Sequence, residues 1–196
     1  MDKSLDSILK FSALLHEFRK VERMVLSNGT DRKENDVEHS YNLAMLAWYV
    51  NHTFDLKLDE SKLFKYSLAH DLVEVYAGDT YFFLEEEAKK DKHEREEKAA
   101  QRIKEEFPEF KELHEIIEKY ESKGDREAKF IYALDKVEPL LSIYLDKGVT
   151  WRKNKMTYEM LTSSKAPKVA VDPIVNEIFE ELVKKFKKNI EYFTDG

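Results

Sequence analysis

The stretch SLAHDLVEVYAGDT, residues 67–80, sets a histidine beside an aspartate in a segment whose other residues repeat at the spacing of a helix. Steps of three and four residues return to one helix face, so positions 70, 71 and 74 fall within an arc of about 100°. His70, Asp71 and Glu74 are therefore expected to point to the same side. An isolated pair of this kind is more often a hydrogen-bonded core histidine than a site, so the surroundings decide.

On the N-terminal side, Asp59 caps a helix predicted to run from about Glu60 to Tyr76 and to end at Gly78. Before it, Asn35 followed three residues later by Glu38 has the form of a capping box and opens a helix reaching about Phe54. His39 lies four residues before Leu43 on the apolar stripe Leu43, Leu46, Ala47 and Val50, so it is aimed inward from the first turn. Apolar residues from Leu5 to Leu26, including Val21 and Val25, keep a helical period and predict one helix over 4–26 that stops at the turn signal Ser27-Asn28-Gly29.

On the C-terminal side, residues 84–106 are dominated by Glu, Lys and Arg and read as a solvated face that Pro108 interrupts. An amphipathic stretch, Phe110 to Tyr120, and a helix over about 126–146 containing Pro139 and ending at Gly148 follow, with Gly124 between them. In FIYALDKVEPLL, Asp135 breaks a run apolar enough to be buried. A buried carboxylate needs a counter-charge or a metal, and a lysine or arginine partner is the simpler alternative. Pro139 lacks the amide that would bond the Asp135 carbonyl, which predicts a kink or opening there. Residues 163–173, SSKAPKVAVDP, read as a linker before a last amphipathic helix over about 174–193. His16, His52, His93 and His114 join no constellation and read as structural or surface residues.

Composition bounds the rest. With 196 residues, 42% hydrophobic, 37% charged, 5 Gly and 4 Pro, the chain reads as one helix-rich domain. A net charge of -7 argues against nucleic-acid polymers, although a small anion can bind in a locally basic pocket. The absence of Cys excludes disulfides, thiolate zinc sites and cysteine nucleophiles, leaving His and carboxylates to hold any metal. No stretch approaches the ~20 apolar residues that span a bilayer, and the amphipathic N-terminus MDKSLDSILKFSALLHEF has no apolar signal core, so a cytoplasmic protein without a membrane partner is expected.

ENDVEHS, AHDLVEVYAGD and ALDKVEP, in this order, resemble the pattern of the HD-domain metal-dependent phosphohydrolases, and more narrowly their 5′-deoxynucleotidase branch. The likeness runs from about Leu14 to Leu145. It implies an all-α HD-domain helical bundle, a single domain over 1–196 in which residues after about 150 form an additional C-terminal helical extension. It also implies that His39, His70, Asp71 and Asp135 hold one divalent ion, a donor set suited to Mn, Co, Fe, Ni, Zn or Mg.

On the substrate side the resemblance implies Glu74 for proton handling, Arg23 of FRKVERMVL for a phosphate, Asp79 with Thr80 for a sugar, and His39 near the substrate as well. Each role has a physical basis: guanidinium presents a planar fork to phosphate oxygens, an acceptor at a helix-ending turn meets a hydroxyl, and a carboxylate one turn from the ligands can move a proton. Surface ion pairs for Arg23 and Glu74 and a plain helix-ending turn at Gly78-Asp79 are the simpler alternatives. Met24 stands where many relatives carry an aromatic residue beside the sugar, which leaves selection between ribose and deoxyribose open. The implied reaction takes a nucleoside 5′-monophosphate, deoxynucleotides preferred, to nucleoside and phosphate. Hydrolysis of a triphosphate or another phosphoester, and a non-catalytic nucleotide- or metal-binding module, remain alternatives. A homodimer is also implied, with the charge-rich segment 85–107 offering a face to the second copy.

Overall fold

The computed structural model describes residues 4–78 and 86–195, without the side chains of residues 86–92. Its elements are α1 (Leu5–Phe18), β1 (Glu22–Leu26), β2 (Lys33–Asn35), α2 (Asp36–Thr53), α3 (Glu60–Ala69), α4 (Glu74–Ala77), α5 (Glu86–Glu106), α6 (Lys111–Glu121), α7 (Arg126–Leu145), α8 (Val149–Lys153), α9 (Tyr158–Val169) and α10 (Pro173–Lys188), with a 3₁₀ turn over Ile190–Tyr192. The all-α class follows, relieved among the described residues only by a two-stranded antiparallel hairpin.

The axis of the bundle is α7, whose Phe130, Ile131, Ala133, Leu134 and Val137 are buried. Helices α2, α3, α9 and α10 pack around it. The helix starts are chemically marked: Asn35 and Glu38 complete a reciprocal capping box at α2, while Asp59, Asp125 and Thr157 accept from backbone amides at α3, α7 and α9. α10 buries Val175, Phe179, Leu182 and Phe186 along one face, and Trp151 stacks on Phe193 at 4.5 Å while meeting Phe186 edge-on. At roughly 1.5–3 kcal/mol for each large side chain buried, this packing ties the C-terminal helices to the rest. Buried apolar residues from Leu14 to Phe193 form one continuous core.

Four expectations are corrected. The helix expected over 4–26 ends at Phe18, and residues 22–26 form β1. Val21, Arg23 and Val25 are partly buried while Glu22 and Met24 are exposed, an alternation that fits a strand and not a helix. The turn signal at Ser27-Asn28-Gly29 is the bend of the hairpin, where Gly29 takes φ 73°.

The helix expected over 60–76 is interrupted: α3 stops at Ala69, and Leu72, Glu74, Val75 and Tyr76 donate three residues back, to Ala69, Asp71, Leu72 and Val73. His70 and Asp71 thus sit where the α-helical bonding of α3 gives way to a tighter turn.

The segment expected as a linker is largely α9, because Leu161, Lys165 and Val169 are buried at four-residue spacing against α7. α7 continues unbroken through Pro139, whose buried ring is part of the core.

Candidate metal centre

The capped start of α2, the end of α3 and the middle of α7 deliver side chains to one place. The capping box fixes the first turn of α2 and with it His39, which is fully buried. The end of α3 delivers His70 and Asp71, and the middle of α7 delivers Asp135 and, one turn on, Glu138. Donor atoms of His39, His70, Asp71 and Asp135 lie within 4.8 Å of one another. β1 adds Arg23, whose Nη1 donates to Asp71 Oδ2 at 2.8 Å and to Asp36 Oδ1 at 3.0 Å. Its Nε lies 3.7 Å from Glu34 Oε2.

Both imidazoles are held by Nδ1. That of His70 donates to the Ser67 carbonyl at 2.9 Å, and that of His39 to Glu138 Oε2 at 2.9 Å. A carbonyl only accepts, so Nδ1 of His70 carries a proton and Nε2 is the nitrogen turned inward. There it lies 3.0 Å from Asp71 Oδ2 and 3.8 Å from Asp135 Oδ1, and makes no hydrogen bond among the described residues. His39 Nε2 is 3.1 Å from the same Asp135 oxygen. Two largely buried carboxylates converging on these inward nitrogens are unfavourable unless a cation lies among them. Two imidazoles and two carboxylates with no thiolate, converging in this way, fit a divalent ion of borderline hardness.

Charge around the centre is dense and largely buried. Burial would raise the carboxyl of Asp71, but His70 and Arg23 more than reverse this and hold it well below the usual carboxylate range. Burial likewise opposes ionisation of Asp135, and Lys136 and His39 prevail. Against burial and the charge of Arg23, hydrogen bonds to Asp135 and Glu138 lift His39 to about 9. Burial pushes Glu34 up to about 7. Burial and the charge of Lys136 push Lys165, on α9, down to about 7. The Tyr120 ring stands edge-on to His70, and its hydroxyl donates to Asp135 Oδ2 at 3.3 Å.

An HD domain family model matches residues 15–178. The chain belongs to the HD domain family. It is similar to the 5′-deoxynucleotidase HDDC2 of Homo sapiens, 33% identical over 138 residues that cover 69% of this chain and 66% of that protein. This chain thus spans just under two thirds of the human relative. The 5′-deoxynucleotidase hdd1 of Schizosaccharomyces pombe is 28% identical over 72% of this chain and 73% of its own. A crystal structure titled as a predicted metal-dependent phosphohydrolase from Magnetospirillum magnetotacticum aligns with a TM-score of 0.83 at 27% identity, covering 97% of this chain and 96% of that one.

In this HD domain, Glu74 is buried in the first turn of α4, with a carboxylate oxygen in one group with Asp36 and Asp71. Met24 is not brought to the cluster: its neighbour Arg23 faces inward, so Met24 faces the other side of β1, and it is 38% exposed. Asp79 and Thr80 lie outside the described residues. His114 donates to or accepts at no ligand of the cluster; its Nε2 meets the Phe107 carbonyl, and His93 pairs with Glu97 at the surface. Sequence reading missed Glu34, Asp36, Glu138 and Lys165. Glu138 had a signal, because it follows Asp135 by one turn in ALDKVEP, whereas a lysine in a segment of Ser, Lys and Pro carries none.

Proposed function

We propose that this protein is a metal-dependent phosphomonoesterase that hydrolyses nucleoside 5′-monophosphates, deoxynucleotides preferred, to nucleoside and phosphate. One observation carries the reading: a partly buried arginine, Arg23, is tied by Nη1 to Asp71, a member of the His39, His70, Asp71 and Asp135 cluster. The names of the two relatives, 5′-deoxynucleotidases, supply the substrate class. The four residues would hold the ion, which supplies Lewis-acid chemistry at a phosphoryl group when bound. Asp36, fully buried, braces the guanidinium of Arg23 so that its fork meets phosphate oxygens at little ordering cost. Glu74 handles a proton beside the reacting phosphate, and Asp79 with Thr80 reads the sugar.

The test is a screen of ribo- and deoxynucleoside monophosphates and triphosphates with Mn, Co, Mg and Zn, following inorganic phosphate and pyrophosphate separately. Phosphate and nucleoside in equal amounts from monophosphates is the expected result. Pyrophosphate or triphosphate as product would transfer the reading to a nucleotide triphosphohydrolase.

We also propose a homodimer, through a different face from the charged one on α5. Tyr41, Met45, Trp48 and Tyr49 of α2 and Leu68 of α3 are exposed. Beside them runs an apolar groove of about 530 Å³ that Phe11, Leu15, Tyr41, Leu68 and Phe110 help to line. A ridge and a groove on one surface can exchange across a two-fold axis, and monomers rarely leave such patches bare.

A further inference from the structure

We propose that Glu138 is the positioning residue of this metal centre: by accepting the Nδ1 proton of His39 it fixes the tautomer whose Nε2 lone pair faces His70, Asp71 and Asp135. The inference rests on the reading of those four residues as metal ligands. Its geometry is direct. Glu138 Oε2 lies 2.9 Å from His39 Nδ1, while Nε2, across the ring, points at Asp135. Glu138 is only 6% exposed and His39 not at all, so the contact is shielded from bulk solvent. With carboxylates at both nitrogens, the ring's environment must specify which one gives up its proton to coordinate. Asp135 is a ligand in this reading and is itself engaged by the ion, which leaves Glu138 as the acceptor that retains the proton.

The two histidines differ in this respect. His70 is braced by a neutral backbone carbonyl, that of Ser67, and His39 by a carboxylate. A carboxylate acceptor makes the opposite nitrogen more basic and a stronger ligand. Glu138 lies in one buried group with Glu34 and His39, and Glu34 is engaged by Asn42 Nδ2 at 3.3 Å and faced by Arg23 Nε. This chain of contacts joins α7, α2 and β1 behind the metal cluster. The group Glu34, His39 and Glu138 is not a second cation site in this account, because the imidazole nitrogen facing it, Nδ1, carries the proton given to Glu138 while Nε2 serves the first.

A residue that merely cross-links α2 to α7 and one that sets a tautomer are separable. Co²⁺ affinity of the full chain is measured by competition with a chromophoric chelator for the parent, Glu138→Gln and Glu138→Ala, with circular dichroism to confirm folding. The expected order is parent, then Gln, whose amide oxygen still accepts the Nδ1 proton, then Ala, weakened about 10- to 100-fold. Long-range ¹H–¹⁵N correlation spectra of the zinc-loaded parent should show His39 protonated at Nδ1, a readout that needs no variant to fold. A folded Glu138→Ala chain that binds Co²⁺ as the parent does, or a His39 proton found at Nε2, overturns the proposal while the metal centre stands. A parent that binds no divalent ion overturns the metal reading and this proposal with it.

Discussion

Replacing Lys165 with methionine should make the protein more stable at neutral pH and remove part of its pH dependence. The side chain is 6% exposed and packs from α9 against the central helix. Burial and the neighbouring charge of Lys136 bring its ammonium from 10.5 down to about 7. At about 1.4 kcal/mol for each pH unit of displacement, keeping the charged form inside costs about 5 kcal/mol below pH 6 and about 4 at pH 7, where half the native molecules have shed the proton. Between pH 7 and 10.5 the unfolded chain holds a proton that the native chain lacks, so stability rises with pH across this window. Above 10.5 both forms are neutral and the cost is gone.

Methionine is similar in length and carries no charge, and replacing buried ionic groups by apolar ones yields about 1–4 kcal/mol. Urea denaturation of parent and Lys165→Met after metal chelation, at several pH values from 6 to 10.5, gives the difference in stability. His39, lifted to about 9, stabilises the native chain most below its ordinary value of 6.5 and progressively less as pH rises to 9. That trend is common to both chains and largely cancels in the difference. The expected difference favours methionine by about 1–4 kcal/mol at pH 7 and fades toward pH 10.5. A difference that does not change with pH, or a less stable variant throughout, would refute the reasoning. A lysine retained at such a cost should serve the reaction, so phosphate release should fall in the stabilised variant.

Arg23→Lys keeps the charge but loses the planar fork, and kcat/KM for a nucleoside monophosphate should drop at least about tenfold with metal content unchanged; equal turnover would make Arg23 only an ion-pair partner of Asp36 and Asp71. Met24→Trp should leave the ratio of kcat/KM between ribo and deoxy substrates of one base unchanged, because Met24 faces away from Arg23 on the strand; a shifted ratio would place it in the sugar pocket after all. Trp48→Glu should shift the chain from dimer to monomer in analytical ultracentrifugation, since a carboxylate on an apolar interface must be desolvated. An unchanged mass for that variant would exclude this face of α2 from the interface.

Much of the site was legible because its chemistry is local in sequence. Asn35 with Glu38 marked the start of α2 and so aimed His39, and an aspartate within an apolar run marked Asp135 as buried. What escaped the sequence were geometries satisfying two periods at once. Phe18, Val21 and Val25 fit a helix, but Val21, Arg23 and Val25 also fit a strand, and the choice turns on whether Arg23 counts as an inward residue. The break after Ala69 is invisible for a related reason: the apolar spacing continues through it. Lys165 reads as solvent-facing in any polar segment, and its burial is imposed by α7 through the neighbouring Leu161 and Val169. Pro139 predicted an opening, yet α7 runs on through it with Pro139 buried.

The central claim is that His39, His70, Asp71 and Asp135 hold one divalent ion. It is tested most directly by elemental analysis of metal bound to the folded Asp71→Ala chain beside the parent, after equal exposure to Mn²⁺ and removal of free ion. Loss of a charged ligand from a site with no thiolate to replace it should take the content from about one ion per parent chain to nearly none. Equal metal content in the two folded proteins would contradict the account.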